Sequence, residues 1–171
     1  MGGVLVAVAL VGFVLVAVSR SAREEDPGEI LGVQTFNHLS REHVTTPVSY
    51  PQNPPVGGDH SPTLQPCGPY REPVPNEQAV HSMEHGAVWV TFRPDLPAAD
   101  VERLMALADQ TYVIVSPVPD LPAPVIASAW RAQLRLERAD DPRLKSFLAT
   151  YRQGPQTPEP GAACPPRSNR G

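Results

Sequence analysis

Between Pro47 and Pro75 the chain places nine prolines in 29 residues. Each proline removes a backbone donor and fixes φ at about −65°, so neither a helix nor a central strand survives that density. The stretch is still not simple spacer. It carries Tyr50, Gly57-Gly58, His60, Cys67 and Tyr70, which are costly residues for a disordered linker. The expectation is an ordered, irregular strap packed over a folded domain, with a plain linker as the alternative.

The regular elements flank this strap. Residues 33–36 alternate as a short strand does. Asn76 is a good N-cap for a short helix over residues 77–85, which Gly86 stops. Residues 87–92 are β-branched and aromatic and favour a strand. Val101, Leu104, Met105 and Ala108 recur at helical spacing, so residues 98–110 read as an amphipathic helix. Residues 112–116 read as a strand, residues 117–124 as a proline-marked loop, and residues 125–136 first as one strand. Asp140 or Asp141 caps a last helix over residues 142–152, with Pro142 in its first turn. This order predicts the α+β class: a small, mainly antiparallel sheet with two or three helices, a proline-rich strap and an N-terminal transmembrane helix. The expected division is an anchor or signal segment over 1–19, a linker over 20–30, a globular domain over 31–153 and a Pro/Gly-rich tail over 154–171.

The transmembrane expectation rests on Met1 to Ser19, which hold no charged side chain. A spanning helix needs about 20 such residues. A cleaved signal peptide is the rival, but no Lys or Arg precedes the apolar run and Ala17-Val18-Ser19 is a poor cleavage site. Arg20 and Arg23 argue for a cytoplasmic flank under the positive-inside rule. The bulk of the chain is nevertheless expected outside the cytoplasm, on a single-pass membrane protein. A net charge of −4 without a basic block excludes nucleic acid as the natural partner. Cys67 and Cys164 form an even pair, which in an exported domain suggests a disulfide. Closing a loop of nearly 100 residues is worth about 4–5 kcal/mol in the chain-entropy view. Two free thiols, or Cys67 as a metal ligand, are the alternatives.

The chemistry concentrates in His81-Ser82-Met83-Glu84-His85-Gly86. On a helix, the i, i+4 spacing puts both imidazoles on one face, about 5–6 Å apart at Cβ. Two neutral imidazoles so placed can share a metal ion. Glu84 can ligate, act as a base or orient a histidine. The string also fits a His-x-x-Glu-His peptidase pattern, although Gly86 ends the helix early. Met83 would suit Cu(I) if extended, but on a helix it points into the core. His43 and His60 lie in segments able to fold over this helix, whereas His38 reads as surface. No Gly-x-Ser-x-Gly, phosphate loop or dinucleotide fingerprint occurs.

These segments jointly resemble the uncharacterised bacterial family known as domain of unknown function 3105. The matching pieces are His43 to Tyr50, Pro54 to His60, Cys67 to Tyr70, Glu72 to Glu77, Ala79 to Trp89, Ala127 to Trp130, and Gly154 to Gly161 with Cys164. The resemblance implies an apolar N-terminal segment and an exported domain, and brings no activity with it. The family motif commonly has Leu where Met83 stands, which fits Met83 as core. The pattern includes His43, His60, Cys67, His81, Glu84 and His85, which supports treating them as one spatial cluster.

The leading expectation is a membrane-anchored, extracytoplasmic protein that binds copper or zinc. His81 and His85 are its primary ligands, His43 or His60 completes the site, and Glu84 supports it. The alternatives are a metal-dependent hydrolase with Glu84 as general base, and a structural or interaction domain whose histidines bind only backbone groups. Binding is placed ahead of catalysis.

Overall fold

A computed structural model describes residues 29–167. The expected anchor over residues 1–19 lies outside them. Among the described residues, no helix is long and apolar enough to cross a membrane.

Six strands form one sheet: β1 (Val33–Thr35), β2 (Gly68–Pro69), β3 (Val88–Phe92), β4 (Val113–Pro117), β5 (Val125–Ala129) and β6 (Ala132–Leu136). Their spatial order is β1-β6-β5-β3-β4-β2. The β1–β6, β5–β6 and β3–β5 pairs are antiparallel, while β3–β4 and β2–β4 are parallel. Helix α1 (Asn76–Glu84) precedes β3. Helix α2 (Ala98–Met105), continued by a 3₁₀ turn (Ala106–Asp109), makes the crossover that a parallel β3–β4 pair requires. Helix α3 (Pro142–Tyr151) closes the domain. The α+β expectation holds, with three helices on a mixed sheet among the described residues.

Alternation along the strands separates two cores. Val88, Val90 and Phe92 of β3 share a cluster with Val113, Val115, Leu134, Leu104 and Phe147, beneath α2 and α3. Trp89 points the other way, joining Ile114, Ile126, Val80 and Met83 beneath α1. Each fully buried side chain of this size contributes roughly 1.5–3 kcal/mol. A sheet covered on both faces explains why all five residues of β3 are buried.

Three local readings change. Pro75, not Asn76, occupies the α1 cap position, and no side chain caps it; Asn76 is already helical. The strap holds this end of the helix instead, with Val48 N–H donating to Glu77 Oε1 and Ser61 N–H donating to Glu77 O. The single strand over residues 125–136 is a hairpin. Its two-residue turn, Trp130-Arg131, carries Arg131 at φ 64°. The apolar parity slips there: Val125, Ala127 and Ala129 face the same core as Ala132, Leu134 and Leu136. The helix over residues 98–110 tightens to a 3₁₀ turn after Met105. The Asp141 cap is as expected, with Asp141 Oδ1 accepting from Arg143 N–H at 2.9 Å.

The strap is ordered and packs over α1 and the hairpin. Arg131 N–H donates to Val56 O, and the Gln133 amide donates to Pro54 O. Gln65 N–H donates to Gln78 O on α1, and the Ser82 hydroxyl returns the contact to Gln65 O. The tail runs back along the other side of α1. Gln153 N–H donates to Gly86 O, Glu159 N–H donates to Glu84 O, and Cys164 is bonded to Cys67. Gly86 sits at φ 99°, where a Cβ would lie 3.0 Å from the Gln153 backbone. The expected disulfide is therefore present, which removes Cys67 from metal ligation.

Candidate metal centre

Helix α1 is nine residues long and buried from Ala79 through Glu84. Ala79, Val80 and Met83 face the sheet core. Met83 is fully buried there, as the helical reading expects. The opposite face must therefore bury His81 and Glu84, at 7 % and 2 % exposure, and such groups need partners. The strap and tail supply them.

His60 comes from the strap and is completely buried. A short bridge between His43 and His60 fixes their relative placement, with Val44 N–H donating to His60 O and His60 N–H to Glu42 O. The His60 ring packs edge-on to Trp130, with centroids 5.9 Å apart. His43, His60, His81 and Glu84 each bring one ligand atom to within 4.8 Å of all the others. The His43 side chain is 47 % exposed, so the group is open to solvent on that side. His85 stands beside this group, its ring centroid 4.6 Å from that of His81. His38 is on the surface, as expected.

The hydrogen bonds determine where the ring protons are. His60 Nδ1 lies 2.8 Å from Gly58 O, His81 Nδ1 lies 2.7 Å from Ser61 O, and His85 Nδ1 lies 2.8 Å from Ala163 O. A carbonyl oxygen only accepts, so each of these Nδ1 atoms carries the proton and donates it. In the neutral rings, every Nε2 then presents a bare lone pair. Yet His81 Nε2 and His85 Nε2 face each other at 3.1 Å, and His60 Nε2 faces Glu84 Oε2 at 3.0 Å. His43 Nε2 lies 3.9 Å from the same carboxylate oxygen. Acceptor opposes acceptor at the His81–His85 and His60–Glu84 contacts, and a proton or a cation between them relieves it. Protonating His81 is disfavoured. Burial holds its imidazole below the ordinary range, and His85, His60 and His43 push the same way against the Ser61 carbonyl.

A ring nitrogen bonded to a backbone carbonyl on one side, with its partner nitrogen free on the other, is the usual arrangement of a metal-ligating histidine. Within the four-ligand group the His60–Glu84 separation of 3.0 Å suits adjacent ligands of an ion bonded at about 2.0–2.2 Å, and the wider spacings, up to 4.8 Å, contract slightly around one ion. The residues present therefore fit a borderline divalent ion. The sequence had not singled out Glu159, whose Oε2 is 3.5 Å from His85 Nε2. Its only sequence signal is membership of the matching tail segment 154–161.

A sequence model described as "Protein of unknown function (DUF3105)" matches residues 43–166, which begin at the first histidine of the cluster and end past the disulfide. The chain belongs to this family. No curated protein and no solved structure matches it. The DUF3105 match contains every histidine of the centre together with Glu84, both cysteines and the acceptor carbonyls of Gly58, Ser61 and Ala163. The strap and tail therefore belong to the family unit as much as the sheet does.

Proposed function

We propose that this DUF3105 protein is a membrane-anchored, extracytoplasmic binder of a divalent transition metal, held by His43, His60, His81 and Glu84. One observation carries the reading: three histidines donate Nδ1–H to carbonyls, and their Nε2 lone pairs face one another and the Glu84 carboxylate at about 3 Å. A bound cation relieves contacts of this kind, which are otherwise repulsive. The donor set is imidazole and carboxylate. Both cysteine sulfurs are in the disulfide and Met83 is in the core. That set suits Zn(II) or Cu(II) better than the soft Cu(I) ion. The anchor is the uncharged segment of residues 1–19, and the disulfide is in keeping with an oxidising compartment.

The test is metal content. The full chain is purified, loaded with copper or zinc, dialysed and measured by mass spectrometry, alongside His60→Ala and His81→Ala. One tightly held ion per chain is expected in the parent, weakened retention in His60→Ala and a loss in His81→Ala. A parent protein that retains neither ion refutes the reading.

The exposed side of His43 favours a second reading, in which a coordination position is open to water and Glu84 serves as general base of a hydrolase. Against it, Glu84 is almost fully buried and faces two imidazoles. Ester or peptide hydrolysis that is lost in Glu84→Gln while the metal is retained would establish the enzyme.

A further inference from the structure

His85 is the member of the cluster that the four-ligand group does not include. Its Nδ1 donates to Ala163 O, so its Nε2 lone pair is committed to the space it shares with His81 Nε2 at 3.1 Å and Glu159 Oε2 at 3.5 Å. Three acceptors thus border a second spot, distinct from the one bounded by His43, His60 and Glu84. Glu159 is not a stray surface acid. Its backbone N–H donates to Glu84 O, and its segment is fastened to the core by the disulfide at Cys164. Its side chain is nonetheless half exposed, whereas that of His85 is only 12 % exposed. The outer spot therefore opens toward solvent through a carboxylate and closes inward on an imidazole.

We infer that His85, Glu159 and His81 form a second, outer cation position, through which a divalent transition-metal ion is passed to and from the inner site. This rests on the metal-binding reading above. An imidazole has one lone pair at Nε2, so His81 ligates an ion in one position at a time. The two positions are alternatives for a single ion. The outer set has two imidazoles and one carboxylate; the inner set has three imidazoles and one carboxylate. The inner position is the tighter, and His81 stays bonded while the other ligands are exchanged. Stepwise ligand exchange of this kind suits a protein that delivers a metal ion to an acceptor.

Copper(II) in the full chain provides the test, with electron paramagnetic resonance for the ligand set and stopped-flow transfer to a chelator for the rate. Crippling the inner site by His60→Ala, or by Glu84→Gln should that chain not fold, moves the ion outward. Such a chain still binds one copper, about tenfold to 100-fold more weakly and with fewer nitrogen couplings. Adding Glu159→Gln to that background abolishes binding. In the otherwise native chain, Glu159→Gln slows release to the chelator by about tenfold. The outer position is overturned if the inner-site variants bind no copper, if Glu159→Gln leaves their affinity unaltered, or if release from the native background keeps its rate. A native chain that binds no copper or zinc instead sinks the metal-binding reading itself.

Discussion

Glu84→Gln separates a metal ligand from a structural ion pair, because the two roles predict opposite outcomes in the metal-free protein. Glu84 is 2 % exposed and its Oε2 lies 3.0 Å from Nε2 of the fully buried His60. If the pair is structural, removing the charge costs about 3–5 kcal/mol, as for other broken buried pairs. If the pair awaits a cation, the amide introduced by the substitution donates to the His60 lone pair, and metal-free stability stays within about 1 kcal/mol of the parent. The bound state behaves differently. At an ion concentration a thousandfold above Kd, the parent gains about 4.1 kcal/mol. Losing the carboxylate weakens binding by about 100-fold, at the upper end of what loss of an outer partner does. At the same ion concentration the gain falls to about 1.4 kcal/mol. For a domain of this size 1 kcal/mol moves Tm by about 4 °C. The zinc-induced shift should therefore drop from about 16 °C to about 6 °C, again taking 4 °C per kcal/mol. Differential scanning calorimetry with and without zinc reads both numbers. A metal-free Tm lowered by more than about 10 °C, or an undiminished zinc shift, refutes the reasoning.

Replacing both Cys67 and Cys164 by Ser releases a link across 97 residues and the carbonyl at Ala163 that orients His85. Denaturant unfolding should show a loss of up to about 4–5 kcal/mol, and copper transfer to a chelator should change its rate; unchanged transfer would detach the tail from the site. Lowering the pH should destabilise the metal-free chain. The folded His81 resists protonation while the unfolded one accepts it, so stability is complete above about 6.5 and is lost as pH falls below it. His81→Gln should flatten that slope in pH-dependent melting curves. Gly57→Ala should cost roughly 1–3 kcal/mol, since its φ is +136° and a Cβ would stand 2.7 Å from Leu39 Cδ1 and 3.2 Å from Trp130. It should also weaken zinc binding, measured by calorimetric titration, because the adjacent Gly58 O holds His60.

The regular elements were legible where one period ran undisturbed. β3 and α3 are where β-branched and aromatic residues and capping put them, and the His81–His85 pairing follows from the pitch of α1. The β5–β6 hairpin was hidden because its turn is Trp130-Arg131, with neither Gly nor Asn to mark the positive φ at Arg131. The one-residue slip in apolar parity between Ala129 and Ala132 was the available signal. That His43 and His60 both join His81 follows from a single bridge between two irregular segments, which no periodicity encodes. Glu159 was missed for a related reason. A Pro/Gly-rich tail reads as loose until the disulfide and the Glu84 carbonyl are seen to hold it.

The proline density has a functional reason in this arrangement. A histidine is oriented toward a cation when its other nitrogen donates to a fixed carbonyl. Carbonyls inside helices and strands are already engaged by their own ladders. The three acceptors here, Gly58 O, Ser61 O and Ala163 O, all come from the strap and the tail. A segment studded with proline joins a ladder only briefly, as at the edge strand β2, so most of its carbonyls stay available, and prolines restrict the chain enough to hold them in place. The disulfide does the same for Ala163, one residue before Cys164. The sheet and α1 supply a rigid base for His81, Glu84 and His85. The irregular segments supply His43, His60 and every carbonyl that sets a ring proton. On this view, loosening the strap disables the centre without touching a ligand, as Gly57→Ala is expected to do.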